Sequence, residues 1–216
     1  TWPALDEMVT TLSNLSPAAA ASLIRTIPTP GNAAQMGPAA LLFMAAIKAG
    51  DLSAWVGERR IDALMRAGKT ALITRMAQDV TTLSRIANEP VSGDWRGMMI
   101  PLNWQGEVHK VMLYTRRDGS EQNGTEHSGG GQTRFIFDLS LSRMGDVQID
   151  GLARGDRLDM VVRSQHPFSS PMQASMRAAY ARSLTDTSLH GELTFQGDPR
   201  GWGNVVKRTE TVGVEI

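Results

Sequence analysis

Hydrophobic residues follow a helical spacing through the first 90 residues of the chain. Leu5, Met8 and Leu12 recur every three or four positions, and the same spacing returns between Leu72 and Leu83. Side chains at this spacing share one face of an α-helix, and that face needs a covering partner to leave water. We therefore predict a bundle of short helices over residues 1–90.

Local signals indicate where some of these helices begin and end. Ser16 and Asp51 stand just before apolar stretches, where a side-chain oxygen can accept a hydrogen bond from a free backbone N–H. Gly37-Pro38 predicts the start of a further apolar helix, because proline fits the first helical position. Gly50 predicts the end of that helix.

Beyond residue 95 the apolar positions alternate with others, as in strands that bury one face. The clearest run places Phe135, Phe137, Leu139 and Leu141 together on one side of a strand. We expect that side to be buried. Shorter alternating runs cover residues 98–102, 108–114, 147–149 and 158–162.

One helix interrupts these strands. Ser170, Pro171 and Gln173 predict its start as a Ser-x-x-Gln capping box. Its apolar stripe comprises Met172, Met176, Ala179, Tyr180 and Leu184. A final strand follows around Leu193 and Phe195.

These elements predict an α+β protein. An N-terminal helical bundle precedes a small, mainly antiparallel sheet with one packed amphipathic helix, in the core order strand, strand, strand, helix, strand. We divide the chain into a helical domain, residues 1–90, and an α+β domain, residues 95–216. Between them the stretch Pro90 to Asp94 is a plausible boundary, and residues 118–131, which are polar and glycine-rich, predict a mobile loop.

Composition removes several classes of function. The chain has 22 basic and 22 acidic residues, so it lacks the excess charge of proteins that coat nucleic acid or an anionic membrane. It has no cysteine, which excludes disulfides, thiolate zinc sites and cysteine nucleophiles. Its apolar stretches are too short to predict a membrane span. Because it begins with Thr1, we expect a piece of a longer protein.

Motifs that suggest chemistry do not fit their required context. Gly68-Lys69-Thr70 resembles the end of a phosphate-binding loop, but the glycine needed five residues earlier is Ala63. The surroundings favour a helix end followed by a new helix instead. Gly129-Gly130-Gly131 precedes a strand rather than a helix, which argues against a dinucleotide turn.

Other polar residues and the tryptophans also favour structural roles. The histidines His109, His127, His166 and His190 share no metal-ligand spacing. The aspartates among residues 138–159 are interleaved with arginines, which predicts a solvated surface of mixed charge. The five tryptophans are scattered, and we interpret them as buried anchors. We therefore predict no enzymatic activity, no metal and no cofactor.

The segment from about Gln132 to Gly197 resembles the C-terminal domain of bacterial flagellar hook-length control proteins. That family has a strand of the form Leu-x-Leu-x-Pro-Glu-x-Leu-Gly leading into Val-x-Val, then a Gly-x-Leu-x-Val/Leu strand, a helix and a final strand. The corresponding stretches here are Phe135–Ile149, Gly155–Val162, Met172–Leu184 and Leu193–Phe195. Leu141-Ser142 replaces the family's Pro-Glu pair, whereas Met144-Gly145 preserves the step from an apolar residue to glycine.

The resemblance implies a protein-interaction domain related to hook-length control and export substrate switching. Its implied partner is the flagellar export-gate switch protein, and its implied location is the bacterial cytoplasm, with export through the flagellar apparatus. The implied contact residues are Arg143, Met144, Gly145 and Asp146, which we expect at an exposed edge of the sheet. In the alternative interpretation Gly145 only makes a hairpin turn and Met144 fills the core. The alternative is a structural or scaffold protein that shares the fold without a flagellar role. An enzyme whose site residues are dispersed along the chain is the third hypothesis.

Overall fold

The computed structural model describes residues 1–31, 33–104, 106–118, 131–141, 144–197 and Trp202. The helices within these residues are α1 (Pro3–Leu15), α2 (Pro17–Ile24), α3 (Ala33–Ala49), α4 (Leu52–Val56), α5 (Glu58–Arg66), α6 (Thr70–Asn88) and α7 (Ser170–Thr187). The strands are β1 (Pro90–Ser92), β2 (Trp95–Trp104), β3 (Glu107–Asp118), β4 (Gln132–Leu141), β5 (Gly145–Arg154), β6 (Arg157–Ser164) and β7 (Leu193–Gln196).

The predicted α+β class is confirmed. Six helices precede a sheet whose strands lie in the order β1-β2-β3-β4-β5-β6-β7. Strand β5 pairs antiparallel with both β4 and β6, whereas β7 pairs parallel with β6. A parallel neighbour needs a crossover connection, and α7 supplies it.

The chain divides into two compact units. The helical unit comprises Thr1–Pro90 and Gly97–Met112, and the sheet unit comprises Val91–Arg96 and Leu113–Ile216. The sequence placed a boundary between residues 90 and 95 and assigned everything beyond it to the second domain. The structure instead groups Gly97–Met112 with the helices, because Met99 and Val108 are buried in the helical core.

An aromatic cluster forms the centre of the helical unit. The rings of Trp2 and Trp55 stack at a centroid distance of 5.9 Å, and Phe43 packs edge-on against both. All three side chains are buried. The prediction of buried tryptophan anchors therefore holds for Trp2 and Trp55, but it is wrong for Trp104, which is 51% exposed.

Two predicted helix starts are confirmed. Ser16 Oγ accepts from the Ala19 N–H at the start of α2, and Asp51 Oδ1 accepts from the N–H groups that open α4. The predicted start at Gly37-Pro38 is wrong, because α3 begins at Ala33 and Pro38 lies inside it. Because proline has no backbone N–H, Pro38 removes the helical hydrogen bond to the carbonyl four residues earlier.

The sheet unit has an apolar core on one face of the sheet. Its buried members are Val147, Val162 and Phe168, and the residues packed against them are Leu139, Met144, Ile149, Met176, Leu193 and Phe195. The predicted stripe on β4 lies on this face but is only partly covered. Leu141 is 37% exposed, whereas Ile136, on the opposite face, is 0% exposed.

Helix α7 covers the sheet less completely than its sequence predicts. Met176 packs against the core, but no residue of α7 is buried. The predicted capping box is also wrong. Ser169 occupies the N-cap position, but its side chain accepts no hydrogen bond from the helix backbone. The side-chain amide of Gln173 donates to the Phe168 carbonyl at 3.0 Å.

Some expectations fall on residues that the structure does not describe. Residues 119–130, which make up most of the predicted loop, lie outside the described residues, and so do Ser142, Arg143 and His127. Among the helices of the described segments, none is long and apolar enough to cross a membrane.

Candidate interaction sites

The predicted contact residues fall at the turn between β4 and β5. Leu141 and Gly145 are the last paired residues of the two strands, and the Met144 N–H donates to the Leu141 carbonyl at 3.3 Å. Gly145 has φ +72°, a backbone conformation that side chains with a Cβ rarely adopt. The turn thus requires glycine at this position, as the resemblance implies.

The described side chains of this turn make contacts inside the sheet unit. Met144 packs against the apolar core. The Asp146 carboxylate accepts from Ser140 Oγ at 2.9 Å and from Gln165 Nε2 at 3.3 Å. Gln165 also lies so close to Gly145 that a Cβ there would overlap its side-chain amide. These contacts hold Met144 and Asp146 against the rest of the sheet unit.

The turn lies at the end of two inner strands. The neighbours of β4 and β5 are β3 and β6, so neither strand is an edge of the sheet. The apolar side chain most exposed among the turn residues that the structure describes is Leu141, at 37%.

A buried polar cluster occupies the opposite face of the sheet. Asp150 accepts two hydrogen bonds from Arg134, at 2.9 and 2.6 Å, and a third from Arg163 at 2.8 Å. Asp150 and Arg163 are only 7% and 8% exposed. A buried carboxylate is tolerated when it is paired and hydrogen-bonded in this way.

Amide side chains extend this cluster. Gln148 accepts from Arg163 at 3.1 Å and donates to Asp138 at 2.9 Å, while Gln196 accepts from Arg163 at 2.9 Å. The prediction of a solvated mixed-charge surface is therefore wrong for Asp150 and Arg163, and Gln148 between them is buried as well. Their alternation with Val147, Ile149 and Val162 predicts one polar face, but it does not reveal that this face is covered.

The charges of the cluster determine how its acids behave. Burial alone would raise the pKa of Asp150, but the hydrogen bonds and positive charges of Arg134 and Arg163 outweigh it and lower the pKa. Burial raises the pKa of Asp138. The negative charge of Asp146 raises it further, whereas the hydrogen bond from Gln148 opposes the rise. Asp150 thus stays ionised at neutral pH and serves as the anchor of two arginines.

Aromatic residues border the polar cluster within the sheet unit. The guanidinium groups of Arg116 and Arg134 lie 5.1 and 5.8 Å from the ring centre of Trp95. For Arg134 the cation–π contact adds to its ion pair with Asp150. Burial, with a smaller contribution from Asp138, raises the pKa of the Tyr114 hydroxyl. Tyr114 therefore stays protonated at neutral pH.

The helical unit has an exposed apolar surface on α3. Leu41 is 64% exposed and Leu42 is 45% exposed, and both lie on the side opposite the buried Phe43 and Ile47. Ala34, Pro38 and Ala45 are exposed on the same side. The sequence predicted an apolar helix here but not which part of it is uncovered.

The motifs that the sequence analysis rejected lie in surroundings that do not fit the chemistry they suggest. Gly68 and Lys69 connect α5 to α6, so no strand leads into them. His109 lies on β3, whereas His166 and His190 lie between the named helices and strands. Among the described residues no group of three or more His, Asp or Glu side chains could hold a metal ion. Comparison of the chain with protein-family models, with curated proteins and with solved structures finds no match.

Proposed function

We propose that this chain is a protein-interaction domain without enzymatic activity, related to flagellar hook-length control. Its sheet unit would bind the cytoplasmic domain of the export-gate switch protein in the bacterial cytoplasm. The segment that resembles the hook-length family has the element order β4, β5, β6, α7, β7. That order agrees with the strand, strand, strand, helix, strand order which the resemblance implies.

The observation that carries the proposal is the form of the β4–β5 turn. Leu141 exposes an apolar side chain at the end of β4, where it pairs with Gly145, the first residue of β5. An exposed apolar side chain offers a partner surface to bury. Arg143 lies outside the described residues, and its part in the contact is implied by the resemblance alone.

A second candidate is a scaffold without a flagellar role. Met144 packs into the core, and Asp146 has its hydrogen bonds satisfied within the unit. These contacts are what a purely structural turn would have. On this hypothesis Met144 maintains the fold and contacts no partner.

Calorimetric titration of the whole chain with the purified export-gate cytoplasmic domain tests the proposal. The informative variants are Leu141→Asp, Arg143→Glu and Met144→Asp. The matched control is Met172→Asp, because Met172 on α7 is 38% exposed, close to the value for Leu141. Circular dichroism establishes that each variant is folded.

We expect wild type and Met172→Asp to bind equally, and Leu141→Asp and Arg143→Glu to bind at least about tenfold more weakly. Unfolding of Met144→Asp would assign Met144 to the core and leave the other two variants decisive. Absence of binding by folded wild type would refute the flagellar role. Equal binding by all folded variants would place the contact elsewhere.

A further inference from the structure

We propose that α7 opens from the sheet as a unit, in a local transition that leaves the strands of the sheet unit paired. In the open state the helix loses its contacts, and the apolar core beneath it, including Val147 and Val162, meets water. The proposal is independent of the function proposed for the β4–β5 turn. It rests on the exposure of α7, on the side chains that join it to the strands, and on the contacts that hold the chain at both of its ends.

α7 gains little from burial for a helix of its length. None of its 18 residues, all of which the structure describes, is buried. Helices in folded proteins owe most of their stability to an apolar face packed against neighbouring elements, and an isolated helix of this length is only marginally stable in water. A helix that leaves the sheet therefore also loses its own backbone hydrogen bonds.

Three side chains on one turn of α7 contact the strands. Met176 packs against the apolar core, and the Tyr180 hydroxyl donates a hydrogen bond to the Leu158 carbonyl. The guanidinium of Arg177 lies 4.8 Å from the ring centre of Phe195. Arg177 is exposed, and a cation–π contact is weak at an exposed site. Because these contacts come from a single turn, the helix can release them together.

The chain is held in place on both sides of α7. Before the helix, Phe168 is buried, and its ring meets that of Phe195 edge-on at 5.9 Å. After the helix, the His190 N–H donates to the Asp156 carbonyl at 2.9 Å, and the His190 carbonyl accepts from the Leu158 N–H at 2.8 Å. These contacts belong to residues outside α7, so β6 and β7 stay paired when the helix opens.

Hydrogen exchange of the whole chain in increasing urea provides the first test. β5 pairs with β4 along one side and with β6 along the other, so its amides should exchange only when the sheet unfolds. Without urea, the amides of α7 should exchange at least about 100-fold faster than those of β5. Their exchange should also change little at low urea concentrations, because local opening exposes less surface than unfolding of the sheet.

A proline inside α7 tests whether the sheet needs the helix. Ala178 is exposed, and Ala178→Pro removes the hydrogen bond to the Ala174 carbonyl and places the proline ring against that carbonyl. The amides of α7 should then exchange nearly as fast as those of an unstructured chain. The amides of β5 should stay at least about 100-fold slower than that. The matched control is Ala178→Ser, which keeps the backbone N–H and should exchange like wild type.

Two results would overturn the proposal. The first is exchange of α7 in wild type that matches β5 in both rate and urea dependence, because helix and sheet would then unfold together. The second is unfolding of the sheet in Ala178→Pro while Ala178→Ser stays folded, because the strands would then require the docked helix.

Discussion

The indole Nε1 of Trp2 donates a hydrogen bond to Oδ2 of Asp79 at 2.7 Å, although 77 residues separate them in the sequence. Trp2 is 0% exposed and Asp79 is 9% exposed. The Trp2 backbone N–H also donates to the Val108 carbonyl at 3.0 Å. One residue thus links α1, α6 and β3 inside the helical unit.

Loss of this indole donor should destabilise the helical unit. Trp2→Phe leaves the Asp79 carboxylate buried without its partner, so we expect a loss of about 1–3 kcal/mol in the free energy of unfolding. Asp79→Asn should cost less, because the amide oxygen can still accept from the indole. Urea denaturation measures both variants, with Trp104→Phe as the exposed control. Equal effects of Trp2→Phe and Trp104→Phe would contradict this account.

On β4, Ile136 should matter more to stability than Phe137. Ile136 is 0% exposed, whereas Phe137 is half-buried and meets Phe135 edge-on at 5.9 Å. Ile136→Ala should cost about 2–5 kcal/mol, and Phe137→Ala should cost less despite its larger loss of volume. Chemical denaturation compares the two variants. A larger loss of stability for Phe137→Ala would mean that the face of β4 that carries Phe137 is more deeply buried than the face that carries Ile136.

Gly151 should resist substitution because of its neighbour on β4. The ring of Phe135 lies over Gly151, its paired residue on β5, and a Cβ there would overlap the ring atoms. Gly151→Ala should therefore cost about 1–3 kcal/mol of stability. Adding Phe135→Leu should recover part of that loss, which thermal melts can measure. If the stability losses of Gly151→Ala and Phe135→Leu simply add in the double variant, the Phe135 ring must be free to move away from residue 151.

Acid should destabilise the sheet unit through Asp150. Its pKa is lowered in the folded state, so its stabilising contribution is complete above the unfolded value of about 3.9 and is lost as the pH falls through the folded value. Asp150→Asn should cost about 3 kcal/mol at pH 7, because Arg163 and Arg134 lose their anion. Below about pH 4 the stability of Asp150→Asn should also fall less steeply with decreasing pH than that of wild type.

Asp138 serves as the control, because its pKa is shifted in the direction opposite to that of Asp150. Its raised pKa means that the ionised form disfavours folding, a cost that appears as the pH rises through the folded value. Asp138→Asn should therefore leave stability at pH 7 unchanged or higher, since the amide oxygen can still accept from Gln148. Denaturation between pH 3 and 7 separates the two variants. A loss at pH 7 equal to that of Asp150→Asn would contradict the account.

The sequence predicted the elements that depend on local chemistry. The oxygens of Ser16 and Asp51 are within reach of the N–H groups they accept from, and alternation in β4–β6 reflects the geometry of any strand. Burial depends on distant partners instead. Ile136 is buried on the face where Asp150, its partner on β5, binds Arg134 of β4 and Arg163 of β6. No local pattern around Ile136 contains that information.

The sequence likewise does not reveal which candidate surfaces are exposed, because exposure depends on distant partners. The resemblance located the β4–β5 turn, and the φ of +72° at Gly145 gives the physical reason for glycine there. The exposure of Leu41 could not be predicted, because α3 is apolar on nearly every side and its spacing does not distinguish the covered side from the free one.

Hydrogen exchange of the whole chain, with and without the export-gate cytoplasmic domain, tests the central proposal most directly. If the β4–β5 turn is the contact site, the partner should slow exchange in residues 139–148 and leave α7, β7 and the helical unit unchanged. Folded Leu141→Asp should lose that protection. Unchanged exchange throughout wild type at saturating partner, or protection confined to segments other than the turn, would contradict the account.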